Sequence, residues 1–223
     1  QSINGQAPNG WPSNSINGQT ISYGMDPDIV GGFNTESEVI ESLKSISTMS
    51  IVTDLDHLFD NSQGIYVNAG RKGKSWERPS SLELIHPDGS KGFQINMGLR
   101  IRGGYSRQGR NPKHSFRIFF RGEYGEGSLK YPLFEDEGSD KFDKFDFRTS
   151  QNYSWAFGGP NKNTMVREVF SRDLQGAMGW SYTRSRYYHL YLNGVYWGQY
   201  HLRERWSADM LAQYLGGEKE DYE

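Results

Sequence analysis

Residues 97–121 read MGLRIRGGYSRQGRNPKHSFRIFFR, and the spacing within them decides the fold. Phe93, Ile95, Met97, Leu99 and Ile101 alternate with polar positions on the way in, and Phe116, Ile118 and Phe120 resume the alternation on the way out. Successive side chains of a strand point to opposite faces, so the pattern predicts a hairpin with one apolar face. The other face carries Arg100, Arg102, Lys113, Ser115 and Arg117. From Lys91 to Arg121 there are eight Lys or Arg and no Asp or Glu, in a chain of net charge −2. Such segregation concentrates potential and favours an anion. Gly103-Gly104 lets the backbone turn and approach a ligand closely, and Ser106 offers a hydroxyl and an amide. Lys113, at the base of the returning strand, is a point charge placed to meet a phosphate. The alternative is a solvated face neutralised by the acidic stretch 123–146, and charge pattern alone does not separate the two.

Downstream, residues 161–179 predict a helix from about Thr164 to Met178, with Asn163 or Thr164 at its cap and Gly179 as terminator. Steps of roughly 100° put Met165, Val166, Val169, Phe170, Leu174 and Ala177 on one face, with Asp173 inside it. Glu168 falls opposite, in reach of Arg172 at i,i+4. An acid on a buried face needs a cation, so Asp173 is the expected partner of Lys113 and Glu168 the reserve. Asn193-Gly194 is then a type I′ turn signature between two alternating aromatic runs. It predicts Leu192 opposite Val195, Leu190 opposite Trp197 and Tyr188 opposite Gln199. That strand leaves through Arg203-Glu204-Arg205 into a helix capped by Ser207 and ended by Gly216.

Upstream, residues 1–34 are rich in Asn, Gly, Ser and Pro, with SINGQ beginning at Ser2 and again at Ser15, and read as a leader or linker. The folded domain is expected over 35–223. It starts with a helix whose Thr35 and Glu38 form a capping box, followed by strands at Ser50–Thr53, Gly64–Asn68 and Ser81–Ile85. Asp54 or Asp56 fits a helix cap better than a metal ligand. Gly73-Lys74-Ser75 has the ending of a phosphate loop but lacks its first glycine and its helix, so a surface loop is expected. FDKFDF, residues 142–147, reads as an acidic surface loop leading into a strand at Phe145–Arg148.

Only 35% of the 223 residues are apolar, yet 14% are aromatic and 27 are Gly, which fits a strand-rich globular protein rather than a disordered one. No cysteine is present, so thiol chemistry, disulfides and Cys-based zinc sites are excluded. No run of 18 apolar residues exists to span a membrane, and the charge balance argues against a general nucleic-acid partner. Gln1 and the charged ending GEKEDYE suggest a chain that continues at both ends.

The wording of WERPSSLELI, GLRIRGGYSRQGRNPKHSFRIFF, NTMVREVFSRDLQGAMG and YYHLYLNGVYWGQYHLRER, in that order, resembles the CotH family of atypical protein kinases related to spore-coat protein H. The likeness covers about Ile46 to Glu223. It implies an α+β fold, a mostly antiparallel twisted sheet with flanking helices like the amino-terminal lobe of an atypical kinase. It further implies transfer of the γ-phosphoryl group of ATP to Ser or Thr of a protein substrate, with Mg²⁺ or Mn²⁺, at the cell envelope or outside the cell. On that resemblance Gly103, Gly104 and Ser106 lie over the phosphates, Lys113 contacts them, Asp173 or Glu168 fixes Lys113, and Glu204 lines the cleft. The catalytic and metal-holding aspartates are expected after this chain, which by itself would be inactive. GxGxxGxV, VAIK, HRD and DFG are all missing. A pseudokinase, or an extracellular module binding carbohydrate or protein through exposed Trp and Tyr, is the alternative.

Overall fold

The computed structural model describes residues 5–18, 20–109, 111, 113–149 and 164–222. In chain order the elements are α1 (Glu36–Lys44), β1 (Thr48–Val52), α2 (Leu55–Phe59), β2 (Arg78–Ile85), β3 (Gln94–Arg102), β4 (Ser115–Phe119), β5 (Leu129–Lys130), β6 (Lys141–Phe142), β7 (Lys144–Arg148), α3 (Arg167–Ala177), β8 (Ser185–Leu192), β9 (Val195–Arg203) and α4 (Ala208–Leu215). Seven strands close into a barrel in the order β1-β2-β3-β4-β7-β9-β8, and β5 with β6 forms a separate pair.

The mostly antiparallel twisted sheet with flanking helices implied by the resemblance is therefore corrected to a closed, mixed barrel with few helices. Closure comes from β1, which runs antiparallel to β2 and parallel to β8, with Thr48 opposite His189 and Ile51 opposite Leu192. Asn193 fastens it. Its φ of 47° makes the turn between β8 and β9. Its amide donates to Ile51 O at 2.8 Å, its Oδ1 accepts from Thr53 N at 2.8 Å and its Nδ2 donates to Thr53 O at 2.8 Å. One turn residue thus both reverses a hairpin and clips a strand 140 positions away.

The inward face follows the alternation read from the sequence. Met49, Ile51, Leu82, Met97, Leu99, Phe116, Ile118, Phe145, Phe147, Leu190, Leu192, Tyr200 and Leu202 are almost fully buried. Two local expectations fail. Residues 64–68 form turns rather than a strand, with Ile65 N bonded to His57 O and Tyr66 N to Leu58 O. The β8–β9 register holds at Leu192–Val195 and then slips, so that Leu190 faces Gly198 and Tyr188 faces Tyr200. Trp197 is the extra residue of that bulge, and bulges of this kind re-aim side chains.

Trp197 points its indole at the leader. Trp11 lies 5.6 Å from Trp197 and 5.3 Å from Phe59, and meets Tyr23 edge-on at 5.9 Å. Trp11 and Tyr23 are buried members of the core. Trp11→Ala is expected to lower unfolding free energy by about 3 kcal/mol, the usual cost of truncating a buried aromatic. Urea titration of the variant checks this, and a change below about 0.5 kcal/mol, typical of surface substitutions, would show that the leader contributes no packing.

Candidate functional site

Because the barrel consumes its inward face, the charged side chains of β3, β4, β7 and β9 point out. Across β3, β4, β7 and β9 the register sets Arg100 opposite Arg117, Arg117 opposite Asp146 and Asp146 opposite Arg203. Like charges facing each other repel, so the row depends on Asp146. Its carboxylate takes two bonds from Arg117, at 2.6 and 3.0 Å, and lies 3.1 Å from Arg102 Nε. Burial, opposed by Asp146, moves the Arg102 pKa down to about 10. Farther along β3, the buried Glu77 holds Arg100 at 3.2 Å and Arg121 at 2.7 Å. The expected cationic face exists, and part of its charge is answered by these two acids.

One position along, Arg148 pairs with His201 across β7 and β9. Here α3 meets the barrel through Glu168, whose carboxylate is shared by Arg148, Arg203 and Arg172, the last at 2.7 Å. The i,i+4 pair with Arg172 is present, but within a four-residue cluster instead of on a solvated surface. The helix is turned about relative to expectation. Phe170 is 66% exposed, with Val166, Leu174 and Met178 also exposed, and Asp173 is exposed with them. Among the described residues neither Asp173 nor Glu168 makes an ion pair with Lys113, because the charged side of α3 is the side pulled onto the barrel. Asn163, the alternative cap, lies outside the described residues. Val166 occupies the N-cap.

The glycine turn is closed on itself. Gly103 has φ 112°, and a Cβ there would sit 1.9 Å from Ser106 Oγ, so only glycine fits. Ser106 Oγ donates to Arg102 O at 3.3 Å, while Arg107 donates to Gly103 O at 2.6 Å and to Ala69 O and Arg71 O at 3.1 and 2.7 Å. Gly104 is exposed at the tip. Lys113 is tucked beneath, its Nζ donating to Gln199 O at 3.2 Å and lying 4.8 Å from the centre of the Tyr200 ring. It occupies the space left by the missing side chain of Gly198, whose Cβ would come within 3.1 Å of Lys113 Cε. Burial lowers its pKa to about 8. Gly103, Ser106 and Lys113 are brought into one neighbourhood, since His114 donates from Nδ1 to Ser106 O at 2.8 Å and accepts from Tyr200 Oη at its own carbonyl at 2.9 Å.

Glu204 stands apart from these groups. Its carboxylate accepts from the Arg184 amide at 2.8 Å and from the Tyr214 hydroxyl, and lies 3.7 Å from the Arg184 guanidinium, fastening the end of β9 to α4. Burial raises its pKa, and these bonds act against the rise. Sequence reasoning missed Asp146, Arg148, His201 and Arg203. Asp146 and Arg148 lie in the strand expected at Phe145–Arg148, which is present as β7, and alternate there with Phe145 and Phe147, but nothing in the sequence singled them out. Among the described residues no three His, Cys, Asp or Glu side chains are grouped to hold a metal. Asp54 stands at the N-cap position of α2 without a side-chain capping bond. No helix among them is long and apolar enough to cross a membrane.

The fold and this face define a closed β-barrel protein that carries an arginine-rich outer surface beside a glycine turn. The sequence profile described as CotH kinase protein matches residues 99–222, and the chain belongs to that family. The match takes in β3 from Leu99 through α4 and leaves β1 and β2 outside. No curated protein matches the chain.

The Lys113 amine gives a pH test with a defined sign. Its folded pKa of about 8 lies below the ordinary 10.5, so between those values the unfolded chain binds more protons and stability rises with pH. The penalty is fully present below about 8. Melting temperature is expected to climb from pH 8 toward 9.5 in the wild type, with the climb absent in Lys113→Met.

Proposed function

We propose that this chain supplies the nucleotide-binding part of a protein kinase that transfers the γ-phosphoryl group of ATP to Ser or Thr of a protein. The observation that carries the reading is Arg148, a strand cation fixed by the α3 carboxylate of Glu168, on the same outer face as Arg102 and Arg117. Phosphoryl transfer asks mainly for positioning and for positive charge around the phosphates, and fixed guanidiniums on a rigid barrel meet that demand. On this reading the exposed backbone at Gly104 approaches the phosphates and Gly103 and Ser106 shape the turn. Arg148, rather than Lys113, contacts a phosphate oxygen. The substrate hydroxyl oxygen bonds the γ-phosphorus as the bond to the bridging oxygen breaks and ADP departs. The base that takes the hydroxyl proton, and the ligands of Mg²⁺ or Mn²⁺, belong to a part of the parent protein other than this chain, which alone binds nucleotide without turnover. On this reading the parent protein acts at the cell envelope or outside the cell.

Transfer of labelled γ-phosphate by the parent protein tests this. Arg148→Ala is expected to lower transfer about 100-fold or more, the scale of losing an electrostatic contact to the reacting group, while Lys113→Ala retains most of it. The reverse order would return the phosphate contact to Lys113, and loss in neither would sink the site.

A second reading is a non-catalytic binding module for carbohydrate or protein, favoured by the exposed Trp180 and Trp206 flanking a groove of about 500 Å³. It requires ligand binding that survives Arg148→Ala and is lost when Trp180 and Trp206 are replaced by Ala.

A further inference from the structure

Between the leader, α1 and the β8–β9 hairpin lies a cavity of about 330 Å³ that the nucleotide reading leaves unused. Its walls are apolar, with Met25, Ile29 and Val30 from the leader and Val39 and Leu43 from α1. Val39 and Leu43 stand at i,i+4 and so share one side of the helix. Such a stripe ordinarily rests on a core. No residue of α1 is buried, so here the stripe borders the cavity instead. The leader wall is held by its own bonds. Asp26 O accepts from the amides of Ile29 and Val30 at 3.0 Å, and the Thr35–Glu38 capping box fixes the start of α1.

His189 and Tyr196 also line the cavity and supply its polar groups from the hairpin. His189 is 7% exposed, with Nε2 3.2 Å from Ser42 O and Nδ1 3.0 Å from Tyr196 Oη. A carbonyl only accepts, so Nε2 carries a proton. In the neutral ring Nδ1 then accepts from the Tyr196 hydroxyl, whose oxygen keeps acceptor capacity.

Charge is one-sided. Asp26 and Glu38 line the cavity, and among the described residues no Lys or Arg does. Residues 25–44 carry Asp26, Asp28, Glu36, Glu38 and Glu41 against Lys44 alone, and residues 1–4 and 19 add no charged side chain. Glu38 is engaged by Thr35, whereas Asp26 uses its Oδ1 on Asp28 N at 3.0 Å and has an oxygen to spare. Met25 and Ile29 of the walls stay exposed, as does Ile40, and Phe33 of the same segment is 83% exposed. An apolar surface of this kind, rimmed by polar residues, marks an interaction site.

We propose that this cavity docks a partner peptide, one apolar side chain entering between the leader and α1 while flanking Lys or Arg residues meet the acidic mouth. The volume suits a single large side chain and falls at the small end of ligand pockets. Opposite charge selects the flanks, since an acidic segment would be repelled by the carboxylates of residues 26–41. The walls from Gly24 to Leu43 lie outside the residues that match the family profile, so the site is an addition to that domain and does not rest on the kinase reading.

The test is a titration of the chain with the synthetic peptide KKLFKK, followed by the ring resonances of His189 in NMR. A saturable shift of His189 is expected, with the ring of His114, bonded to Ser106 under the glycine turn, unmoved. EELFEE, with the same anchor and opposite charge, should give no shift, and neither should KKSSKK, which lacks the anchor. Asp26→Asn keeps an acceptor for Asp28 N and should weaken the affinity about threefold, the scale of one exposed ion pair. Val39→Trp, which fills the cavity from the helix, should abolish the shift, and Ile29→Trp, which fills it from the leader, should do the same. No saturable shift with KKLFKK, equal binding of EELFEE or KKSSKK, or an affinity unchanged by both cavity-filling variants overturns the site.

Discussion

Closure of the barrel by β1 governs where everything else can go. Once β1 pairs with both β2 and β8, every inward position of seven strands faces other side chains, and the interior is a packed core. Chemistry is displaced to the outer face and to the loops at the rim. Asn193 is the hinge of that arrangement, since its backbone turns the β8–β9 hairpin and its side-chain amide satisfies both main-chain groups of Thr53. Two elements far apart in sequence are thus registered by one residue, and a slip there would rotate the whole outer row.

The outer row is an electrostatic compromise. Four neighbouring strands present Arg100, Arg117, Asp146 and Arg203 side by side, an order that is repulsive without Asp146. Asp146 is almost fully buried and bidentate to Arg117, which keeps the guanidinium planes fixed and partly desolvated. Charges held this way cost free energy to the fold and keep more of their strength toward a ligand than solvated ones. Lys113 follows a different course. With no described carboxylate within ion-pair distance, its amine is stabilised by a carbonyl and an aromatic ring, and its proton is correspondingly easier to lose.

Much of this was legible from period-two spacing and turn chemistry. The alternation through Phe93–Ile101 and Phe116–Phe120, the capping box at Thr35, the Asn193-Gly194 turn and the Ser207 cap are all local, and all are present. What sequence could not supply was pairing between distant segments. Nothing near Thr48 announces that it lies beside His189, so the parallel pairing that closes the barrel has no local signal. The bulge at Trp197 brings its indole against Trp11, a leader residue distant in sequence. Of the site, the cationic strand face and the glycine turn were readable. The partner of the helix acid was not, because a helical wheel shows which residues share a face and not which face wins.

Here the polar face wins. An amphipathic helix ordinarily lays its apolar stripe on the core. The barrel, closed on itself, has no apolar outer surface on β7 and β9 to receive that stripe, and offers Arg148, Arg203 and His201 instead. Half-buried guanidiniums without a carboxylate would be costly, so attraction to Glu168 outweighs the burial of Phe170, Leu174 and Met178 and turns α3 through about half a revolution. The orientation of this helix is therefore set by charge, and Glu168 and the Tyr187–Met165 bond are among the contacts that tie it to the barrel. Partly buried pairs of this kind are screened by salt much less than exposed ones, so the attachment keeps its strength in solution.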